Sequence, residues 1–111
     1  MRSGQFFFIV LVNKKKLKLV SLKRSDQKGK KYKATFQEGK RSKTTHFGAK
    51  GMDDYTLTHD KDQRSRYRQR HKKDLKTHDP TRAGFLSYYL LWGNSTSLKQ
   101  NLKAFKSKFH V

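Results

Sequence analysis

Six basic side chains cluster within ten residues of this chain: Arg64, Arg66, Arg68, Arg70, Lys72 and Lys73. Guanidinium groups bind phosphate through paired N–H donors, so this cluster indicates contact with a polyanion. Like charges one helical turn apart cost about 0.2–0.5 kcal/mol per pair in an isolated helix. A phosphate backbone would turn that repulsion into attraction. The alternative is a charged helix face that contacts only solvent.

A second group of basic residues lies in a segment that alternates like a β-strand: Lys28, Lys30, Lys31 and Lys33. Together with Lys14–Lys16, these side chains could extend an anion-binding surface along a sheet and its hairpin loop. Exposed lysines that protect strand edges from pairing with other chains explain the same residues equally well. Both interpretations stay open at this point.

The composition favours a nucleic-acid partner. The chain has 28 Lys and Arg against 8 Asp and Glu, which gives a formal net charge of +20 over 111 residues. A chain with this charge repels itself and therefore needs anions. Its 8 Phe, 5 Tyr and 1 Trp are enough for a small aromatic core. We therefore expect one folded domain with a basic surface, rather than a disordered basic arm.

Other chemistry finds little support in the sequence. The absence of cysteine excludes disulfides and thiolate metal sites. Asp53 and Asp54 could belong to a nuclease metal site, but a loop pair that orders a turn or meets a basic neighbour explains them better. Adjacent Tyr88 and Tyr89 could stack on bases, although a place in the core suits them better. We expect no enzyme activity, no cofactor and no metal.

The first half of the chain predicts strands. Alternating apolar residues and short turns predict an antiparallel meander of three or four strands over residues 17–47. An apolar run at residues 6–12 predicts a further strand within an N-terminal extension, residues 1–13. That run is too short for a membrane span and lacks a cleavage site, so we expect neither a span nor a signal peptide.

The second half, residues 57–109, predicts three helices after a loop at residues 52–56. The first runs from Asp60 to about Lys73. The second is capped by Asp79, has Pro80 at its first position and is buried along residues 83–92. The third begins after Ser97 and places its apolar side chains on one stripe: Leu98, Leu102, Phe105 and Phe109. The sequence thus predicts an α+β fold, with a small antiparallel β-meander followed by three helices.

Several separated blocks of this chain form a recognisable series. They are residues 46–56, His59-Asp60-Lys61 with Arg64, Tyr67 and His71, residues 79–87 and 90–94, Leu98, and residues 105–109. In this order the blocks resemble a family of small basic proteins encoded by large double-stranded DNA viruses of algae and amoebae. The resemblance covers about residues 17–109 and leaves out the run at 6–12. It implies a viral origin and association with the virion or genome. It implies no catalytic residues.

These observations predict non-catalytic binding of viral DNA, or genome packaging in the virion, without sequence discrimination. The expected partner is nucleic acid, DNA in preference to RNA, inside the virion and in the host nucleus or cytoplasmic virus factory. The rival hypothesis is a minor capsid-associated protein that docks on acidic virion proteins. In that case the strand at residues 6–12 could add to a partner's sheet.

Overall fold

A computed structural model describes residues 16–111, so the predicted strand at residues 6–12 lies outside the described residues. The first part of the described chain is a three-stranded antiparallel sheet in the order β1 (Leu17–Arg24), β2 (Lys30–Glu38) and β3 (Arg41–Ala49). Helices follow the sheet, and the predicted α+β fold is confirmed.

The alternation of side chains gives the sheet one apolar face. Leu19 pairs with Phe36, and Tyr32 pairs with Phe47. Phe36 and Phe47 are fully buried. The register of β1 shifts between Leu19 and Ser21, which leaves Val20 53% exposed. A one-residue shift moves the side chains that follow it to the opposite face of a sheet. The bulge at this point lets the apolar side chains of both halves of β1 face the core.

Four α-helices occur in the described part of the chain, whereas the sequence predicted three. They are α1 (Tyr55–Thr58), α2 (Lys61–His71), α3 (Ala83–Leu86) and α4 (Leu98–Phe109), and the additional one is α1. A 3-10 turn (Lys72–Thr77) extends α2, and a π turn (Ser87–Leu91) extends α3. We call α3 and its π turn the central helix, residues 83–91.

The structure corrects two helix starts. Residues 52–56 were predicted as a loop, but Tyr55 begins α1 because the Asp54 carboxylate accepts the Thr56 N–H at 2.9 Å. The second predicted helix does not begin at Pro80. The Asp79 carboxylate accepts both the N–H and the hydroxyl of Thr81, which closes a turn, and the helix begins at Ala83. Asp79 was therefore wrongly predicted as the cap.

The central helix is the middle of the core. Its Phe85, Leu86, Leu90 and Leu91 are buried, as the apolar run at 83–92 predicted. The stripe on α4 packs against this cluster, with Phe105 1% exposed. The predicted third helix is therefore confirmed. This packing leaves α2 on the surface, where none of its residues is buried.

We predict that Gly48 tolerates alanine much less well than Gly51 does. Both glycines have positive φ, at 79° and 87°, so alanine costs about 1–2 kcal/mol at either position. A Cβ on Gly48 would also lie 2.8 Å from the Leu91 side chain, whereas a Cβ on Gly51 meets nothing within 4 Å. Urea denaturation should show a loss for Gly48→Ala that exceeds the loss for Gly51→Ala by about 1–3 kcal/mol. Equal losses would contradict the close approach of Leu91.

Candidate functional site

The four arginines of α2 divide into two pairs. Arg64 donates to the carbonyls of Gly93 and Asn94, both at 3.3 Å. Arg68 donates to the Trp92 carbonyl at 2.8 Å and to Asn94 Oδ1 at 2.9 Å. The two residues are one turn apart and therefore share a face of the helix. This pair attaches α2 to the segment that follows the central helix.

The inward pair also contacts aromatic rings. The Arg64 guanidinium carbon lies 4.4 Å from the centre of the Tyr55 ring. Arg68 lies 5.9 Å from the centre of the Tyr88 ring. Burial lowers the pKa of Arg68, and the neighbouring charge of Arg64 lowers it further. Arginine stays charged at neutral pH, so both side chains act as cations at the C-terminal end of a buried helix.

The second pair, Arg66 and Arg70, points outward and is exposed. Lys72 and Lys73 continue this exposed run into the 3-10 turn. Within residues 16–111, none of these four side chains takes part in an ion pair or makes a hydrogen bond. We call these four residues the outer cation set: Arg66, Arg70, Lys72 and Lys73.

The predicted hairpin lysines occupy different environments. The Lys31 ammonium bonds the Asp54 carboxylate and the Met52 carbonyl, both at 2.5 Å, and its side chain is only 13% exposed. Lys33 lies 3.4 Å from Asp26. Lys28 is exposed in the turn, and Lys30 is half-buried. The structure therefore does not gather these four lysines into one open surface.

The strand register produces a basic row that the sequence pattern did not reveal. Lys23 pairs with Lys33 across β1 and β2, and Lys33 pairs with His46 across β2 and β3. Like charges directly opposite one another destabilise a sheet. Asp26 offsets part of this cost through Lys33, and Ser25 Oγ lies 2.7 Å from His46 Nδ1.

A cleft of about 520 Å³ lies between α2 and the turn that follows β3. One wall is a single face of α2, formed by Gln63, Tyr67, Arg70 and His71. The opposite wall is the turn, and Lys31 also lines the space. We call this space the α2 cleft. It brings one member of each predicted basic segment, Lys31 and Arg70, to the same place.

Three rings stack beside the α2 cleft. The centre of the Tyr67 ring lies 4.4 Å from Trp92 and 4.1 Å from His71, with interplanar angles of 9° and 18°. Two near-parallel rings at these distances cannot share one face of Tyr67, so the order is Trp92, Tyr67, His71. Asp74 Oδ2 lies 3.0 Å from His71 Nδ1 and holds that ring in place.

Several site residues have environments that residue spacing alone did not predict. Asp54 was considered as part of a loop pair that could meet a basic neighbour, and the structure shows that neighbour to be Lys31. The sequence pattern did not indicate Asn101, whose side-chain amide donates to the Leu90 carbonyl at 3.0 Å. Tyr88 and Tyr89 are half-buried, and Tyr89 contacts the rings of Phe105 and Phe109. Only the i,i+4 spacing of Arg64 and Arg68 could have indicated that they share a face.

Residues 16–111 contain no group of three or more His, Cys, Asp or Glu side chains arranged to hold a metal ion. No helix in this part of the chain is long and apolar enough to cross a bilayer.

The fold and its surface define a small α+β domain with an exposed cationic helix. Residues 20–71 match the model of a family of unknown function, DUF5754. This stretch includes β2, β3, α1, α2 and most of β1, and therefore both walls of the α2 cleft. Neither a curated protein nor a solved structure matches the chain.

We predict that the two arginine pairs differ in their effect on stability. The double variant Arg64→Gln/Arg68→Gln should lower the free energy of unfolding by about 1–3 kcal/mol, because the partly buried carbonyls of Trp92 and Gly93 lose charged donors. The matched variant Arg66→Gln/Arg70→Gln has the same spacing and charge loss and should stay within about 0.5 kcal/mol of wild type. Urea denaturation measures both. Equal losses would show that the inward contacts do not support the fold.

We predict that Tyr67 makes the free energy of unfolding decrease at alkaline pH. Burial raises the pKa of Tyr67 to about 12, and the nearby Asp74 carboxylate adds to the rise. The unfolded chain releases this proton near pH ~10, so the folded state loses stability as the pH rises from about 10 to about 12. The variant Tyr67→Phe should lose less stability over this range. Parallel losses in denaturation at each pH would contradict this role of Tyr67.

Proposed function

We propose that this protein binds nucleic acid without reading its sequence, and that its natural target is the DNA of a large virus. The proposal rests on one observation. The outer cation set lies exposed on one element of a folded domain, and no acidic side chain among residues 16–111 forms an ion pair with it. Four neighbouring cations without local neutralisation form a binding surface for polyanions.

The acidic residues support this proposal by their positions. Asp26, Asp54, Asp74 and Asp79 each pair with a basic side chain other than those of the outer cation set. The chain has only 8 acidic residues in total. Asp60 caps α2 and Asp62 lies in its first turn. Neither forms an ion pair with the outer cation set, so the carboxylates of α2 reduce the positive field without neutralising that set directly. Long polyanions replace many small counterions, and the release of those ions drives binding.

The proposed mechanism uses phosphate contacts alone. Arg66 and Arg70 lie one turn apart, and guanidinium forks suit phosphate oxygens. Such contacts fix the position of a backbone but carry no information about base sequence. The inward pair would contribute indirectly, because Arg64 and Arg68 hold α2 in place. The role we propose is non-catalytic.

The viral part of the proposal draws on the sequence resemblance to small basic proteins of large DNA viruses. Packaging of a genome needs a protein that neutralises phosphate along any sequence, and the net charge of +20 suits that role. We therefore place the proposed activity in the virion and at the site of genome packaging in the host cell.

The test compares two variants that lose four charges each. The first changes the outer cation set, Arg66, Arg70, Lys72 and Lys73, to Gln. The second changes four lysines of α4 to Gln, namely Lys99, Lys103, Lys106 and Lys108. Affinity for a duplex of random sequence is measured against salt concentration. The relevant quantity is the slope of the logarithm of the binding constant against the logarithm of the salt concentration. The first variant should lose about 0.9 units of this slope for each phosphate contact removed, whereas the second should keep most of it.

Two results would overturn the proposal. Equal slopes in the two variants would show that general charge, rather than α2, binds DNA. Wild-type binding weaker than about 10⁻⁴ M near physiological salt would exclude DNA as the partner. That second result would favour the rival role of docking on acidic virion proteins. Replacement of all four arginines would be a poorer test, since it would also remove the internal bonds of Arg64 and Arg68.

A further inference from the structure

We propose that the α2 cleft holds one unpaired base of a single-stranded nucleic acid. This inference rests on the proposed function, which supplies the phosphate contacts, and adds a contact to the base itself. Phosphate binding by the outer cation set explains Arg66, Lys72 and Lys73. It does not explain why a cleft with aromatic and amide side chains lies beside them.

The size and wall chemistry of the cleft suit a planar heterocycle. Its volume of about 520 Å³ lies within the range of small-molecule sites, which is about 300–1,000 Å³. Tyr67, His71 and Trp92 line it with aromatic surface, and Leu91 adds an aliphatic contact. Aromatic and histidine side chains are the usual stacking partners of unpaired bases. Because Trp92 and His71 cover the two faces of the Tyr67 ring, a base would stack on His71, which ends the column and has a side chain that is 39% exposed.

The polar groups on the walls match the edge of a base. Gln63 offers its amide N–H donors to the edge of a base, since its Oε1 already accepts from the Thr58 hydroxyl at 2.9 Å. Asp53 faces it from the opposite wall and can accept a hydrogen bond from an exocyclic amino group. Lys31 contributes less as a free charge, because Asp54 and the Met52 carbonyl already occupy its ammonium group. The cleft is therefore suited to a neutral base with an amino group.

Basic side chains beside the cleft could bind the phosphate backbone of the same nucleic-acid strand. Arg70 belongs both to the outer cation set and to the wall of the cleft. Lys50 is exposed on the facing turn, where its backbone N–H donates to the Gly29 carbonyl at 2.9 Å. A strand could therefore place phosphates near Arg70 and Lys50 while one base enters between the walls.

A paired base does not fit this arrangement. In a duplex each base is stacked within the helix, and a protein pocket reaches it only after the base leaves the stack. Single strands and strand ends present bases without that cost. The protein should therefore bind single-stranded segments more tightly than phosphate contacts alone would allow.

The test uses two oligonucleotides with equal numbers of phosphates. One is single-stranded oligodeoxycytidylate, whose bases have amino groups, and the other is an abasic oligomer of the same length. Wild-type protein should bind the cytidylate about tenfold more tightly, which corresponds to about 1.4 kcal/mol. Trp92 is the single tryptophan and stacks on Tyr67, so its fluorescence should change with the cytidylate and much less with the abasic oligomer.

Two variants change the cleft and one leaves it unchanged. Ala49→Leu fills the cleft from the end of β3, where Ala49 is exposed, and Gln63→Ala removes the amide from α2. Both should reduce the tenfold preference to about twofold or less without loss of abasic binding. Arg66→Gln, on the same helix but outside the cleft, should weaken both oligomers equally and keep the preference. Near-UV circular dichroism and urea denaturation verify that each variant is folded.

The outcomes separate the inference from the proposed function. Equal wild-type affinity for both oligomers would overturn the base site while phosphate binding stands. A tenfold preference that persists in folded Ala49→Leu and Gln63→Ala would also overturn it, since bases would then stack elsewhere, as at Tyr88 and Tyr89. Binding of neither oligomer nor duplex would reject the proposed function itself.

Discussion

The C-terminal end of the central helix is the point on which the rest of the structure depends. Its carbonyls lie among buried side chains, where an unsatisfied polar group costs about 1–3 kcal/mol. Asn101 donates to Leu90 and Ser95 and accepts from the Ser95 N–H, so its amide is fully used. Arg68 and Arg64 satisfy Trp92, Gly93 and Asn94. One segment is thus held from α4 on one side and from α2 on the other.

This arrangement leaves room only for glycine at position 93. A Cβ there would lie 2.3 Å from the Tyr89 carbonyl and 2.8 Å from the Asn101 side chain. The helix ends in a π turn, whose Trp92 N–H donates to the Ser87 carbonyl at 3.1 Å. The same segment holds α2, a helix without any buried residue. Hydrogen bonds from two arginines, supported by the Tyr67 ring against Trp92, replace an apolar face.

The same helix therefore serves the fold and the proposed interface through alternating residues. Arg64 and Arg68 hold the helix, which presents Arg66 and Arg70 to solvent. The sequence pattern placed all four arginines in one basic cluster and gave no reason to separate them. Strand alternation, in contrast, predicted the sheet and its core face well, because each side of a strand has one environment. The helix start at Asp54 was missed and Asp79 was wrongly predicted as a cap, because capping depends on which neighbour the carboxylate meets.

The sequence by itself determined the α+β fold, the meander, the buried central helix, the stripe on α4 and the excess of positive charge. Each of these features follows from local periodicity or composition, and none of them depends on which segments of the chain come into contact. The α2 cleft, the pairing of Lys31 with Asp54 and the two roles of the arginines were decided only by the tertiary structure. The Lys31 pair and the contacts of the inward arginines join residues 23 to 30 positions apart, and the cleft joins residues still further apart. A charged side chain supports the fold or binds a partner according to what lies opposite it.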